Sequence, residues 1–289
     1  MAARVRKAVF PVAGFGTRFL PATKAQPKEM LPLVDKPVIQ YGVEEAVASG
    51  FDKIILVTCR GKSAIEDHFD VSAELEAFLE ARNKKDLLDE MRRISRLAEV
   101  TCIRQGEALG LGHAVLVARD LVGNEPFAVV LPDDVIDAEP AGLAQMVEVF
   151  NRVQGPVIAV ERVPWDRVSS YGIVEFESES GGVYTVRDLV EKPKREDATS
   201  NLAIIGRYIL TPDIFEELEA TSHDRTGEIQ LTNGIRQLLK KRKVYCYEIK
   251  GVRHDAGNKL GFLKATVYFA LRRADLADEF KEYLRGLKL

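Results

Sequence analysis

The chain has 289 residues, 46% of them hydrophobic and 29% charged, with a formal net charge of -3. That balance fits an ordinary globular protein able to bury a large core, and it argues against a dedicated nucleic-acid binder, which would be basic overall. No apolar run reaches the roughly eighteen residues of a membrane span, and the N-terminus lacks the apolar core of a signal peptide, so the cytoplasm is the expected location.

In chain order, the first apolar run, Lys7 to Val12, reads as a strand. It leads into Ala13 to Pro37, AGFGTRFLPATKAQPKEMLPLVDKP, which joins two glycines and several cations to prolines that forbid continuous helix. Gly14 and Gly16 allow a tight turn whose free amides can face phosphate oxygens, with Arg18, Lys24 and Lys28 adding positive charge. The dinucleotide fingerprint fails, because Phe19 stands where its third glycine belongs, and no Gly-Lys-Ser/Thr follows for a Walker A loop. A nicotinamide dehydrogenase is disfavoured on the same ground.

A helix is expected from about Val38 to Ser49, stopped by Gly50, then a strand at Lys53 to Thr58. Ser63 with Glu66 reads as a capping box. Residues 74–97 form an amphipathic helical segment, read as packing on the core edge. Further strands fall at Val100 to Arg104, Phe127 to Leu131 and Pro156 to Val163, an alternation that predicts a mostly parallel sheet with crossover helices. Shorter strands at Ile173 to Glu177, Val183 to Val190 and Leu202 to Leu210 suggest an antiparallel extension over the sheet edge. Helices from Pro212 and Glu228, a strand at Val244 to Ile249 and one long helix from about Lys259 complete the chain.

No Gly/Ser tract or internal repeat divides the sequence, so one domain is expected over residues 1–289. Within it, parts of about 1–165 and 166–256 are followed by a C-terminal helix at about 257–289. Cys59, Cys102 and Cys246 are widely spaced and read as buried reduced thiols; His68, His113, His223 and His254 have no zinc spacing.

Asp133 follows the strand FAVVL and Asp255 follows VYCYEIK, so both carboxylates can reach the sheet's C-terminal edge and share a hard divalent cation. Asp134 competes with Asp133, and strand alternation, which points neighbours to opposite faces, argues that only one serves, with Asp133 the expected ligand. Gln105 offers a donor and an acceptor to a pyrimidine edge, Ala13 and Gly14 offer backbone contacts, and glycines 110 and 112 permit close approach. Glu191 can accept hydrogen bonds from sugar hydroxyls, while Lys192 can pair with a phosphate.

The pattern GxGTRxLPxTKxxPKEMLPxxxKPxIQY, followed by RQGEALGLGHAV (104–115), LPDD (131–134), YGIV (171–174), VEKP (190–193), SNLAIIGRYIL (200–210), GEIQLTNGI (227–235) and HDAGNKLGFLKA (254–265), resembles the bacterial UTP–glucose-1-phosphate uridylyltransferases among sugar-1-phosphate nucleotidyltransferases. The resemblance covers nearly the whole chain. It implies an α/β, Rossmann-like (glycosyltransferase-A-like) fold and the reaction of UTP with glucose 1-phosphate to give UDP-glucose and pyrophosphate, with Mg2+. It implies catalytic roles for Lys28 and for Arg18 near pyrophosphate, and a nucleotide site that includes Gly16 and Thr17 beside Ala13 and Gly14. Gln105 and Gly110 would form the uracil pocket, Gly172, Glu191 and Lys192 the sugar-phosphate site, and Asp133 with Asp255 the metal site. Homodimers or homotetramers are expected on the same basis. A thymidylyltransferase of the same fold and a non-catalytic nucleotide-sugar sensor remain as alternatives; the sensor is disfavoured because Arg18, Lys28, Asp133 and Asp255 are all present.

Overall fold

The structure, a computed structural model, describes residues 4–288. In chain order β1 (Lys7–Pro11) leads through a looped segment to the short strands β2 (Pro32–Leu33) and β3 (Lys36–Pro37), then α1 (Val38–Ala48) and β4 (Lys53–Thr58). Next come α2 (Ser63–Phe69), α3 (Ala73–Ala81), α4 (Lys85–Ile94), β5 (Glu99–Arg104), α5 (Leu111–Val117) and α6 (Arg119–Val122). They are followed by β6 (Phe127–Val130), β7 (Asp134–Asp137), α7 (Gly142–Val153) and β8 (Val157–Arg162). The remainder holds β9 (Gly172–Ser180), β10 (Val183–Glu191), β11 (Leu202–Leu210), α8 (Ile214–Ala220), α9 (Leu231–Leu238), β12 (Tyr245–Glu248), β13 (Val252–Asp255), α10 (Lys259–Ala270) and α11 (Ala277–Gly286).

Strands with continuous apolar runs need cover on both faces, and the helices supply it. The main sheet runs β5-β4-β1-β6-β11-β8-β12-β10-β9. Residues of α1, α2, α4 and α7 pack with one face, around Phe10, Leu56 and Met146. Residues of α5, α8 and α9 pack with the other, around Val129, Phe127 and Phe215, the last two rings stacked at 5.2 Å.

The expectation of a mostly parallel sheet requires correction. Parallel pairing holds β5, β4, β1 and β6 together and joins β8 to β12; the other joins are antiparallel. β11, buried at every position, runs antiparallel to both β6 and β8, an opposed strand between neighbours that share one direction. The predicted antiparallel strands are part of this sheet. β9 turns back to pair Ile173 with Ala203 of β11, which closes β11-β8-β12-β10-β9 into a ring.

Four local expectations also change. Of the three thiols read as buried, only Cys246 is; Cys59 is half-buried and Cys102 exposed. Ser63 is the first helical residue of α2, not its cap, and Glu66 accepts instead from Thr58 Oγ1 at 3.2 Å. The 74–97 segment breaks into α3 and α4 at Asn83, whose φ of 55° no helix continues. The closing helix is two helices, α10 and α11, separated by residues 271–276.

Asp255 does not follow directly from β12. It ends β13, which forms a separate two-stranded sheet with β7 and sets Asp134 opposite Asp255.

One buried network links these parts. Arg207 on β11 is 0% exposed, and Glu45 on α1 is 8% exposed. Arg207 Nη2 donates to Glu45 Oε2 at 2.7 Å and to the Asp134 carbonyl at 2.7 Å, while Nη1 donates to the Leu131 carbonyl at 3.0 Å. The Leu143 amide of α7 adds a bond to Glu45 Oε1 at 3.0 Å. Breaking such a pair strands a buried charge, at a cost of about 3–5 kcal/mol. Arg207→Met is therefore expected to lower unfolding free energy by that amount in urea titration, and Arg207→Met with Glu45→Leu to recover most of it. A single variant losing less than ~1 kcal/mol would contradict a central role for the pair.

Candidate active site

β1 extends by one bond, Val12 N to Val57 O at 2.9 Å, and the chain then leaves the sheet's C-terminal edge. Gly16 takes a left-handed conformation, φ 65° and ψ 31°, and its carbonyl accepts from Thr23 Oγ1 at 2.7 Å. A methyl group there would lie 3.1 Å from Lys28 Cβ, so the loop closes directly onto the lysine stem. Pro27 then starts a single 3₁₀ turn, Lys28–Met30, from which Lys28 reaches across to the end of β6.

Lys28 Nζ donates to Asp133 Oδ2 at 2.6 Å. Burial opposes charge on both groups, but each outweighs that penalty for the other. The Lys28 ammonium holds Asp133 below the usual carboxylate range, and Asp133 with Glu29 holds Lys28 above the usual lysine range. Arg18 Nη1 donates to the Gly257 carbonyl at 3.3 Å, tying the glycine loop to the turn after β13.

Asp133 and Asp255 converge on that same turn. A Cβ on Gly257 would stand 2.9 Å from Asp133 Oδ2 and 3.2 Å from Asp255 Oδ1. Asp134 is engaged elsewhere: its Oδ1 accepts from Arg253 Nε at 2.6 Å and its Oδ2 from the Gly206 amide at 3.1 Å. Both neighbours line the second cavity described below, Asp133 paired with Lys28 and Asp134 with Arg253 and the Gly206 amide. Among the described residues no cluster of three or more His, Cys, Asp or Glu side chains is placed to hold a metal. A hard cation here would take the two carboxylates and complete its shell from phosphate oxygens and water.

Two cavities meet at Asp133, Leu131 and Leu111. The first, of about 360 Å³, is walled by Ala13, Gly14, Lys28, Gln105 and Gly110, together with Phe15, Glu29 and Glu228, which the sequence reading did not single out. Gln105 is held from within: Nε2 lies 3.2 Å from the Gly110 carbonyl and 2.9 Å from His113 Nδ1, leaving Oε1 for a ligand donor. Gly16 and Thr17 line neither cavity; they shape the loop around Lys28.

The bareness of glycines 110 and 112 serves a chain contact more than a ligand. A Cβ at Gly110, where φ is 93°, would fall 2.8 Å from Glu228 Cβ, and one at Gly112 would fall 2.7 Å from the Ile229 carbonyl. Paired bonds from Ile229 N to Leu109 O and from Gly112 N to Ile229 O, both 2.8 Å, bind the two segments.

The second cavity, of about 420 Å³, is lined by Arg18, Asp133, Asp255, Gly172, Glu191 and Lys192, and also by Thr232, Arg253 and Asn258. Glu191 Oε2 accepts from Thr232 Oγ1 at 2.9 Å, and a Cβ on Gly172 would lie 3.1 Å from that same oxygen. Lys192 adopts a left-handed φ of 45°, which lifts it out of β10 toward the cavity. Thr232 lies in the GEIQLTNGI stretch, but nothing in its local pattern marks it as the partner of a residue 41 positions away.

A family description of nucleotidyl transferases matches residues 7–270. The UTP–glucose-1-phosphate uridylyltransferase of Bacillus subtilis (strain 168) is 49% identical over 284 residues, covering 98% of this chain and 97% of that protein. The chain belongs to the bacterial UTP–glucose-1-phosphate uridylyltransferase family. A UTP-bound member from Acinetobacter baumannii superposes with a TM-score of 0.92 at 43% identity, over 99% of this chain and 100% of that one. A UDP-glucose pyrophosphorylase complexed with UDP-glucose gives 0.87 at 44% identity, over 93% and 100%. In this uridylyltransferase fold the ring closed by β9 and the parallel strands around β1 therefore flank one continuous site.

Gly110→Ala would force a side chain into both a glycine-only backbone region and the 228–229 segment, at a cost of about 1–3 kcal/mol. The expected result is a lower melting temperature and a raised KM for the nucleotide. An alanine variant with unchanged melting temperature and KM would show that the contact is dispensable.

Proposed function

We propose that this chain transfers the uridylyl group of UTP to glucose 1-phosphate, forming UDP-glucose and releasing pyrophosphate. The observation that carries this reading is the meeting of Lys28, Arg18, Asp133 and Asp255 at the junction of two cavities, one suited to a pyrimidine nucleotide and one to a sugar phosphate. Residues of about 1–165 supply the first cavity and about 166–256 the second, within one domain.

The chemistry is an in-line displacement. A phosphate oxygen of glucose 1-phosphate forms a bond to the α-phosphorus of UTP, and the bond from that phosphorus to the β-bridging oxygen breaks. The electron pair leaves with pyrophosphate. Because the nucleophile is already an anion, no general base is required, and the protein's task is to hold two polyanions together and stabilise charge at the reacting phosphorus.

Lys28 supplies a fixed ammonium at the junction, and Arg18 a planar guanidinium suited to several phosphate oxygens. Ala13, Gly14, Gln105 and Gly110 form the wall against which the base rests, with Gln105 Oε1 free to accept from the uracil N3–H. Glu191, oriented by Thr232, accepts from glucose hydroxyls, Gly172 lets the ring approach, and Lys192 pairs with the sugar phosphate. Asp133 and Asp255 would hold Mg2+, which supplies charge neutralisation on the phosphate oxygens when bound. The hard, all-carboxylate donor pair fits that ion and not zinc. Nucleotide and sugar-phosphate substrates suit a cytoplasmic enzyme.

Purified protein is expected to release pyrophosphate from UTP only when glucose 1-phosphate and Mg2+ are both present, and to favour UTP over dTTP in direct competition. Equal use of dTTP would move the reading to a thymidylyltransferase, and tight UTP binding without turnover would move it to a sensor. Lys28→Ala is expected to lower kcat by about 10²–10³-fold with the fold intact by circular dichroism. Asp133→Asn is expected to raise the Mg2+ concentration needed for half-maximal rate; an unchanged requirement would remove Asp133 from the metal site.

A further inference from the structure

Lys28 is carried by one 3₁₀ turn, and an isolated turn of three residues cannot hold its own orientation in water. Something outside it must fix which way the lysine points. The next residue, Glu29, is 2% exposed, and its Oε2 accepts from Lys62 Nζ at 2.7 Å; Lys62 is itself 6% exposed. Lys62 stands at the end of the loop from β4, immediately before α2, and lines neither cavity.

Such a pair is a poor choice for stability alone. Each buried ion loses several kcal/mol of hydration, and apolar replacements of similar volume are often equally stable. Here the compensation is also incomplete, since Glu29 Oε1 has no hydrogen-bond partner among the described residues. Geometry offers a different reason for it. Successive side chains on a 3₁₀ turn point about 120° apart. With Glu29 drawn inward to Lys62, its neighbour Lys28 is turned toward Asp133, and Gly16 closes against the Lys28 stem from the other side.

We propose that the buried Glu29–Lys62 ion pair is the positioning device for Lys28, so that Lys62, from outside both cavities, sets the rate of uridylyl transfer. The inference rests on the catalytic role given to Lys28 above. Electrostatics agree with the arrangement: burial pushes the Glu29 carboxyl up, and the Lys28 and Lys62 ammonium groups oppose it.

The test compares Lys28→Ala, Glu29→Gln, Lys62→Met and the double variant Glu29→Gln/Lys62→Met. Melting temperature, UTP dissociation constant, KM and kcat are measured for each. The single changes at 29 and 62 are expected to lose both stability and kcat. The double variant, which leaves no unpaired charge, is expected to regain most of the melting temperature and to bind UTP within about threefold of the parent, yet to remain about ten- to a hundredfold down in kcat. A folded double variant with parental kcat overturns the proposal, as does one whose only change is in KM. Glu29→Asp keeps the charge on a shorter arm and is expected to show the same loss in kcat; parental kcat there overturns the proposal even if the double variant does not fold. Unchanged turnover in Lys28→Ala would overturn instead the role of Lys28 on which the inference stands.

Discussion

A single buried guanidinium decides where the chemistry can happen. Arg207 bonds the carbonyls of Leu131 and Asp134 and the carboxylate of Glu45, so it fixes both ends of the turn that carries Asp133. It does so from β11, the strand that joins the sheet's parallel half to the closed ring. If that turn shifted, Asp133 would leave the reach of Lys28 and lose its convergence with Asp255. The strength of the constraint comes from burial: in a low-dielectric interior neither the arginine nor the glutamate has water as an alternative partner.

Charge is then arranged in layers away from that point. Arg207 with Glu45 and Arg253 with Asp134 form the buried structural layer; Glu29 with Lys62 lies beside them; and Lys28 with Asp133 faces the cavities. Only the last pair is exposed enough to exchange partners with a phosphate. This explains how a protein with net charge of -3 can hold two polyanions, since the acids nearest the site are already neutralised or are the proposed ligands of a cation.

The glycines show how one residue type answers several demands. Gly16 permits a left-handed turn, Gly110 and Gly112 permit two chain segments to touch, and Gly257 leaves room between two carboxylates. The local pattern marks each as unusual without saying which demand it meets.

Much of this was open to reading from the chain alone. Strand runs such as Lys53–Thr58, the stop at Gly50, and the clustering of Lys28, Arg18 and the prolines depend on short-range rules of backbone sterics and hydrophobic period, so they are legible one segment at a time. The reaction itself followed from long ordered motifs. Other features arise only when distant segments meet. The direction of β11, the closure of β9 onto it, the pairing of β13 with β7, and the partners of Glu29, Glu45, Asp134 and Glu191 join residues tens to more than a hundred positions apart. An Asp next to an Asp reads the same in either setting; only the folded chain pairs Asp134 with Arg253 and Asp133 with Lys28, because distant segments decide which charges burial places beside a carboxylate.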